Sequence, residues 1–217
     1  MIHRDEQQTS LVPIMTTEYF VLQTARTGTI QEASQRASLF LAAVSSATIA
    51  LAFVAQVTQM GRPFVLFSLI LLPCLFFVGA ITFARTAEVA IEDMILARGM
   101  ARIRHFYIER EPMIARYLVH STHDDRFALS TETGTGSVPW PCFTSTAFIV
   151  GTLNSAIAGV FAGVVVAFGI PATAVAAVAV GVLFLAVSAR GHWRYQTSRW
   201  NEAEGQLKIL FPKGGRA

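Results

Sequence analysis

The chain has 217 residues, of which 14% are Asp, Glu, Lys or Arg, where about 25% is usual in a soluble domain. Hydrophobic residues make up 53%, mean hydropathy is +0.50 and the formal net charge is +3. This composition excludes a disordered chain, a disulfide scaffold and an ordinary water-soluble enzyme, and it describes an integral membrane protein.

Residues 1–16 are polar and read as a loose start. From Thr17 the stretch TEYFVLQTARTGTIQEASQR predicts a helix that runs into a first span, with Thr16 or Thr17 as its N-cap. Gly28 weakens that helix by about 1 kcal/mol relative to Ala. A bilayer core needs about 20 apolar residues of helix. Ala37–Val57 and Pro63–Phe83 both meet that length without a charge. Arg85–Arg110 then keeps a helical period, with Val89, Leu96, Met100, Ile103 and Tyr107 on one face and Ile91, Ile95 and Phe106 beside it. The remaining positions carry Glu88, Glu92, Arg98, Arg102 and Glu109. Such a helix needs a partner, and other cytoplasmic helices of the same chain are the plain choice. Pro112 ends it or starts a short helix through Val119.

Residues 120–142 predict a flexible linker, rich in Ser, Thr and Gly up to position 138. Between Glu132 and Arg190 lie 57 residues without a charge, too many for one span. The run breaks at Gly169-Ile170-Pro171, leaving Phe143–Phe168 and Pro171–Ala189 as spans three and four. Pro171 suits a first helical turn, where its missing N–H costs nothing. The tail predicts a helix that begins at the interface. Trp193, Tyr195 and Trp200 suit the headgroup level beside Arg190, Arg194 and Arg199, as Trp140 does at the start of span three.

Sixteen of the 17 Lys and Arg residues fall in the N-terminal, central and C-terminal segments; only Arg62 lies in the turn between the first two spans. The positive-inside rule makes that side cytoplasmic. The expected fold is therefore all-α, with four transmembrane helices in two hairpins and cytoplasmic helical extensions. Its parts are a cytoplasmic N-terminal segment (1–36), a first transmembrane hairpin (37–84), a cytoplasmic helix (85–119), the linker (120–142), a second transmembrane hairpin (143–189) and a cytoplasmic tail helix (190–217). The first 36 residues hold no apolar signal-peptide core, so span one is expected to act as an uncleaved anchor. Fifteen Arg against two Lys suggest a GC-rich bacterial genome, hence a bacterial inner membrane.

The strongest motif lies in span three. Gly151, Ser155, Gly159, Gly163 and Ala167 fall every fourth residue, forming one groove of small side chains through which membrane helices pack closely. Span four offers Thr173, Ala177 and Gly181 at that spacing, and span one Ser38, Ala42, Ser46 and Ala50. Packing within the four-helix unit is the bland reading; self-association into a homo-oligomer is the other. His120, His123, Asp124 and Asp125 hold metal-ligating groups, but in a predicted linker they read as a solvated loop. His105 and His192 read as interfacial, and Cys74 and Cys142 as inert, unpaired hydrophobes. The Gly134–Ser137 stretch lacks the Lys of a phosphate loop. No ionisable residue falls inside a predicted span, which disfavours an ion-coupled transporter. Asn154, Gln56, Thr48 and Ser45 are the candidate polar groups at that depth.

The stretches QEASQRASLFLAAVSSATIALAF at 31–53 and TFARTAEVAIEDMILARGMARIRHFYIE at 82–109 resemble a group of small, functionally uncharacterised actinobacterial four-helix membrane proteins. More distantly, a cytoplasmic helix leading into a two-span hairpin is similar in architecture to two-transmembrane effectors of bacterial nucleotide-triggered phage defence. Neither resemblance carries over a functional residue. The expected function is a non-enzymatic interaction or effector protein in the lipid bilayer, assembling through its small-residue faces. The alternative is a passive channel or small-solute transporter lined by the span-three groove and Asn154. Glu92, Asp93, Arg98, Arg102 and Arg104 are the candidate partner-binding residues, as mixed charge on a helix just beneath the membrane. No cofactor, metal or nucleic-acid pattern is present, and no ligand is implied.

Overall fold

The computed structural model describes residues 2–126, 128, 145–171 and 173–214, with side chains from Leu11 onward. Its regular elements are all helical: α1 (Ile2–Thr58), α2 (Arg62–Arg110), a 3-10 helix (Pro112–Tyr117), α3 (Thr146–Gly169) and α4 (Ala174–Gln206). Four helices are long and apolar enough to cross a membrane. The expected features at 129–144, among them Trp140, Cys142 and the Gly134–Ser137 stretch, lie outside the described residues.

Boundaries differ from the sequence expectation at the N-terminus, at the start of span four and in the tail, where α4 ends at Gln206, short of the helix expected over 190–217. Residues 1–16 were expected to be loose, yet α1 begins at Ile2 and continues through Pro13. Glu6, Gln7 and Gln8 are good helix formers despite their polarity. Thr16 Oγ also meets the Tyr107 hydroxyl at 2.9 Å, and Leu22 lies against Gly99, so tertiary contact holds this part of α1. Span four does not start at Pro171. Thr173 Oγ accepts from the Ala176 N–H at 3.2 Å as an N-cap, and the helix begins at Ala174.

The α1–α2 turn shows its cause in the backbone. Met60 N–H donates to Ala55 O at 3.0 Å and Gln59 N–H to Gln56 O at 3.4 Å, the pair of bonds that closes a Schellman motif. Gln59 and Met60 take φ of 47° and 58°, the left-handed region usually left to glycine.

The chain divides into two compact units. The first comprises Met1–Glu32, Val89–Pro141 and Ala203–Ala217; the second comprises Ala33–Glu88 and Cys142–Glu202. In the second, Phe40, Ala47, Leu72, Leu75, Phe83, Val150 and Ile157 are buried together. Lipid tails are as apolar as these side chains, so close packing and polar contacts must hold the helices together. In the first unit, Val89, Met100 and Ile103 of the expected face are buried, while Ile95 of the second strip is exposed.

Gly28 has nothing within 4 Å of where a Cβ would stand. Gly28→Ala is therefore expected to stabilise α1 by about 1 kcal/mol, read as a raised midpoint of thermal unfolding in detergent.

Candidate functional site

Two polar clusters stand out, one in each unit. In the first unit the sequence places Arg98 and Arg102 on the outer side of α2, yet Arg98 is 2% exposed and Arg104 is 3% exposed. Ala97 and Ala101 of the same helix are buried beside them. Arg98 Nη2 donates to both carboxylate oxygens of Glu204 at 3.0 Å. Arg102 Nε donates to Asp124 at 2.8 Å and its Nη2 to the Lys208 carbonyl. Arg104 Nη1 donates to the Ser121 carbonyl. On the opposite charge, Asp93 accepts from Arg26 Nε at 2.9 Å. Glu92 is exposed. Asp93, Arg98, Arg102 and Arg104, all expected to bind a partner, are thus engaged inside the chain, tying α2 to the N-terminal helix, to 121–124 and to the tail.

The reading of His120, His123, Asp124 and Asp125 as a solvated loop needs correction at Asp124, although His120 is exposed as expected. Asp124 is fully buried. Its carboxylate accepts the Leu210 N–H at 3.0 Å and the Phe211 N–H at 2.8 Å, while its own N–H donates to Phe211 O at 3.2 Å. Asp125 accepts from the Lys213 N–H. The described start of the expected linker is therefore fastened by Asp124, which takes two backbone N–H groups and Arg102, and by Asp125. Among the described residues no group of three or more His, Cys, Asp or Glu side chains is placed to hold a metal. His105 stacks on Phe211 with ring centroids 3.9 Å apart and lies 6.1 Å from His123.

Desolvation pushes the Asp124 carboxyl up, but the Leu210 and Phe211 N–H groups and the Arg102 hydrogen bond and charge outweigh it, leaving the pKa below 3.8. A folded-state pKa held below the unfolded value contributes stability above the unfolded pKa and loses it as pH falls through the folded one. The tail contact is therefore expected to hold at neutral pH and to loosen below about pH 4, where an unfolded aspartate protonates. A carboxyl NMR titration of Asp124 should show its midpoint below 3.8. Asp124→Asn should shrink the difference in thermal stability between pH 6 and pH 3.

In the second unit, Asn154 and Ser155 of α3 are fully buried. His192 of α4, expected at the interface, reaches both. Its Nδ1–H donates to the Ser188 carbonyl at 2.8 Å, Nδ1 lies 3.2 Å from Ser155 Oγ, and Nε2 lies 3.3 Å from the Asn154 amide. With the amide turned, Asn154 donates to Phe76 O at 3.1 Å and accepts from the Ala80 N–H at 3.2 Å and from His192 Nε2. The Asn154 side chain thus joins α3 to α4 and lies on the α2 backbone. Amide orientation and imidazole protonation are coupled, because Nε2 can accept from Asn154 only when it carries no proton. Gly79 makes the approach possible, since a Cβ there would stand 2.2 Å from Asn154 Oδ1. Phe83 closes the cluster edge-on to His192 at 4.5 Å. The adjoining cavity, between Phe83, Phe148 and Trp193, is about 30 Å³, room for about one water.

The small-residue groove of span three closes on the same chain. Gly151 lies against Phe83 and His192, Gly159 against the Gly181 carbonyl and Leu185, and Gly163 against the Ala177 carbonyl. Ser155 Oγ donates to Gly151 O at 2.7 Å. Ala167 lines an apolar cleft of about 510 Å³ with Gly159, Gly163, Ala177 and Gly181. The comparable stripe of span one, Ser38, Ala42 and Ser46, is exposed. His192 is the contact the sequence reading missed. Its one signal was the spacing Ser188-x-x-x-His192, which sets both groups on one face of a helix continuing past the expected end of span four.

Comparison with protein families, curated proteins and solved structures returns no match to this chain.

Proposed function

We propose that the chain is a non-enzymatic, multi-pass protein of the bacterial inner membrane whose first unit receives a protein partner on the cytoplasmic side. The observation that carries this reading is the outer surface of that unit. Ile14 is 58% exposed, Phe20 62% and Val21 55%, all on α1, which Arg26–Asp93 and Leu22–Gly99 hold against α2. Large apolar side chains displayed outside lipid mark a surface to be covered. Their placement outside lipid rests on topology. The N-terminal, central and tail segments flank the spans, and Arg26–Asp93 and Arg98–Glu204 join them in pairs. Such contacts support two hairpins whose turns, at 59–61 and 170–173, face the other side. The excess of Arg in those segments supports the cytoplasm as theirs.

A passive channel lined by Asn154 has less support. Asn154 is fully buried, its amide is committed to neighbouring helices, and the space beside it takes about one water. Assembly through the span-three groove has less support too, because Gly159 and Gly163 already meet Gly181 and Ala177.

Photo-crosslinking residues at Ile14 and Phe20, expressed in cells, test the reading. A protein adduct of discrete mass at these positions, absent when the probe replaces lipid-facing Val178, is the expected result. Lipid adducts alone at Ile14 and Phe20 would overturn it.

A further inference from the structure

We infer that Arg102, His105, Asp124 and Asp125 form a peptide-recognition cradle, filled here by residues 208–213 of the same chain, and that its exchange ligand is an extended protein segment with an aromatic residue at the second of two adjacent backbone donors. The inference rests on the interaction reading above and names the partner chemistry of the same unit.

The contacts that seat 208–213 use the backbone. Arg102 binds the Lys208 carbonyl, Asp124 takes the N–H groups of Leu210 and Phe211 and returns its own N–H to Phe211 O, and Asp125 takes the N–H of Lys213. Pro212, which has no N–H, stands between two used donors. The side-chain contact is the Phe211 ring, laid on His105 at 3.9 Å and 22°. Backbone capture with a pocket for one ring is how extended peptides are recognised in other settings.

The way this segment is held makes it exchangeable. Ile209 and Leu210 are 44% and 46% exposed, so little apolar area holds them down. Helix α4 ends at Gln206, so 208–213 follows without helical hydrogen bonds of its own. Anchored in cis, such a segment competes at an effective concentration on the order of millimolar, and it yields to a ligand that adds apolar contact. Buried Asp124 and the Arg102 bond stay in place whichever segment arrives.

The test uses the full-length chain in detergent and a labelled peptide of the 207–214 sequence, Leu-Lys-Ile-Leu-Phe-Pro-Lys-Gly, followed by fluorescence anisotropy. Phe211→Ser weakens the resident segment and leaves the cradle intact. It should raise peptide affinity about tenfold over the unaltered chain, the scale of one good aromatic contact. Adding Asp124→Asn to that variant should remove binding, and a peptide with Ser for Phe should bind about tenfold more weakly. Equal binding with and without Asp124→Asn would overturn the proposal. A second measurement needs no substitution: unlabelled peptide at millimolar concentration should speed amide exchange at Leu210 and Phe211 in the unaltered chain. Unchanged exchange at both residues would also overturn it. Neither readout involves Ile14 or Phe20, so a failed cradle and a failed interaction surface give different patterns.

Discussion

Glu204→Ala is expected to be among the most damaging single substitutions outside the uncharged spans. Arg98 is 2% exposed, and its Nη2 binds both Glu204 oxygens. Removing one member of a buried pair leaves the other charge uncompensated, at a cost of about 3–5 kcal/mol. Arg98 Nε and Nη1 find no partner among the described residues, so none of these offers a second acceptor. Helix content and thermal unfolding in detergent should both fall. Replacing Arg98 and Glu204 together with Met and Leu should recover most of the loss, because a buried pair exchanged for packed apolar groups is often neutral. A single Glu204→Ala within about 1 kcal/mol of the unaltered chain would show that water reaches Arg98 freely.

Gly159→Leu is the second. Even a Cβ there would stand 2.7 Å from the Gly181 carbonyl oxygen and 2.9 Å from Leu185 Cβ. Backbone cannot rotate aside as a side-chain tip can, so α3 and α4 must separate. Overpacking typically costs about 1–3 kcal/mol, and a leucine against backbone belongs at the upper end. The expected result is a lowered unfolding midpoint with the mass of the detergent-solubilised particle unchanged. Gly28→Leu, with open space around it, serves as the comparison. A change of oligomeric mass with stability intact would instead mean that this groove joins copies.

These two positions also show what can be read from a sequence of this kind. The spans were legible because lipid imposes length and the absence of charge, both visible in one dimension. The small stripe at Gly151, Ser155, Gly159 and Gly163 was legible as a packing face for the same reason, but what it packs against was not. A four-residue period says nothing about whether the neighbour is Gly181 of the same chain or a second copy. Arg98 was misplaced because helical periodicity sorts residues by polarity, and it cannot see a carboxylate 106 residues away that lets a guanidinium go inside. Asp124 was lost in a stretch rich in Ser, Thr and His that reads as a loop. Its role depends on the Leu210 and Phe211 amides, which any sequence would supply. His192 escaped for a related cause, since its partner Asn154 lies on another helix and its depth depends on where span four ends.

The proposed function requires the N-terminal, central and tail segments to meet on one side of the membrane. Labelling with a membrane-impermeant maleimide tests this most directly, in sealed spheroplasts and in inverted vesicles, with Cys74 and Cys142 replaced by Ser. Single cysteines at Met60, Val119 and Asn201 report the first turn, the central region and the tail; Val119 is 94% exposed and Asn201 is exposed as well. Positions 119 and 201 should react only in inverted vesicles and position 60 only in spheroplasts. Reaction of 119 and 201 from opposite sides would contradict the account, because Arg98 and Glu204 could not then meet.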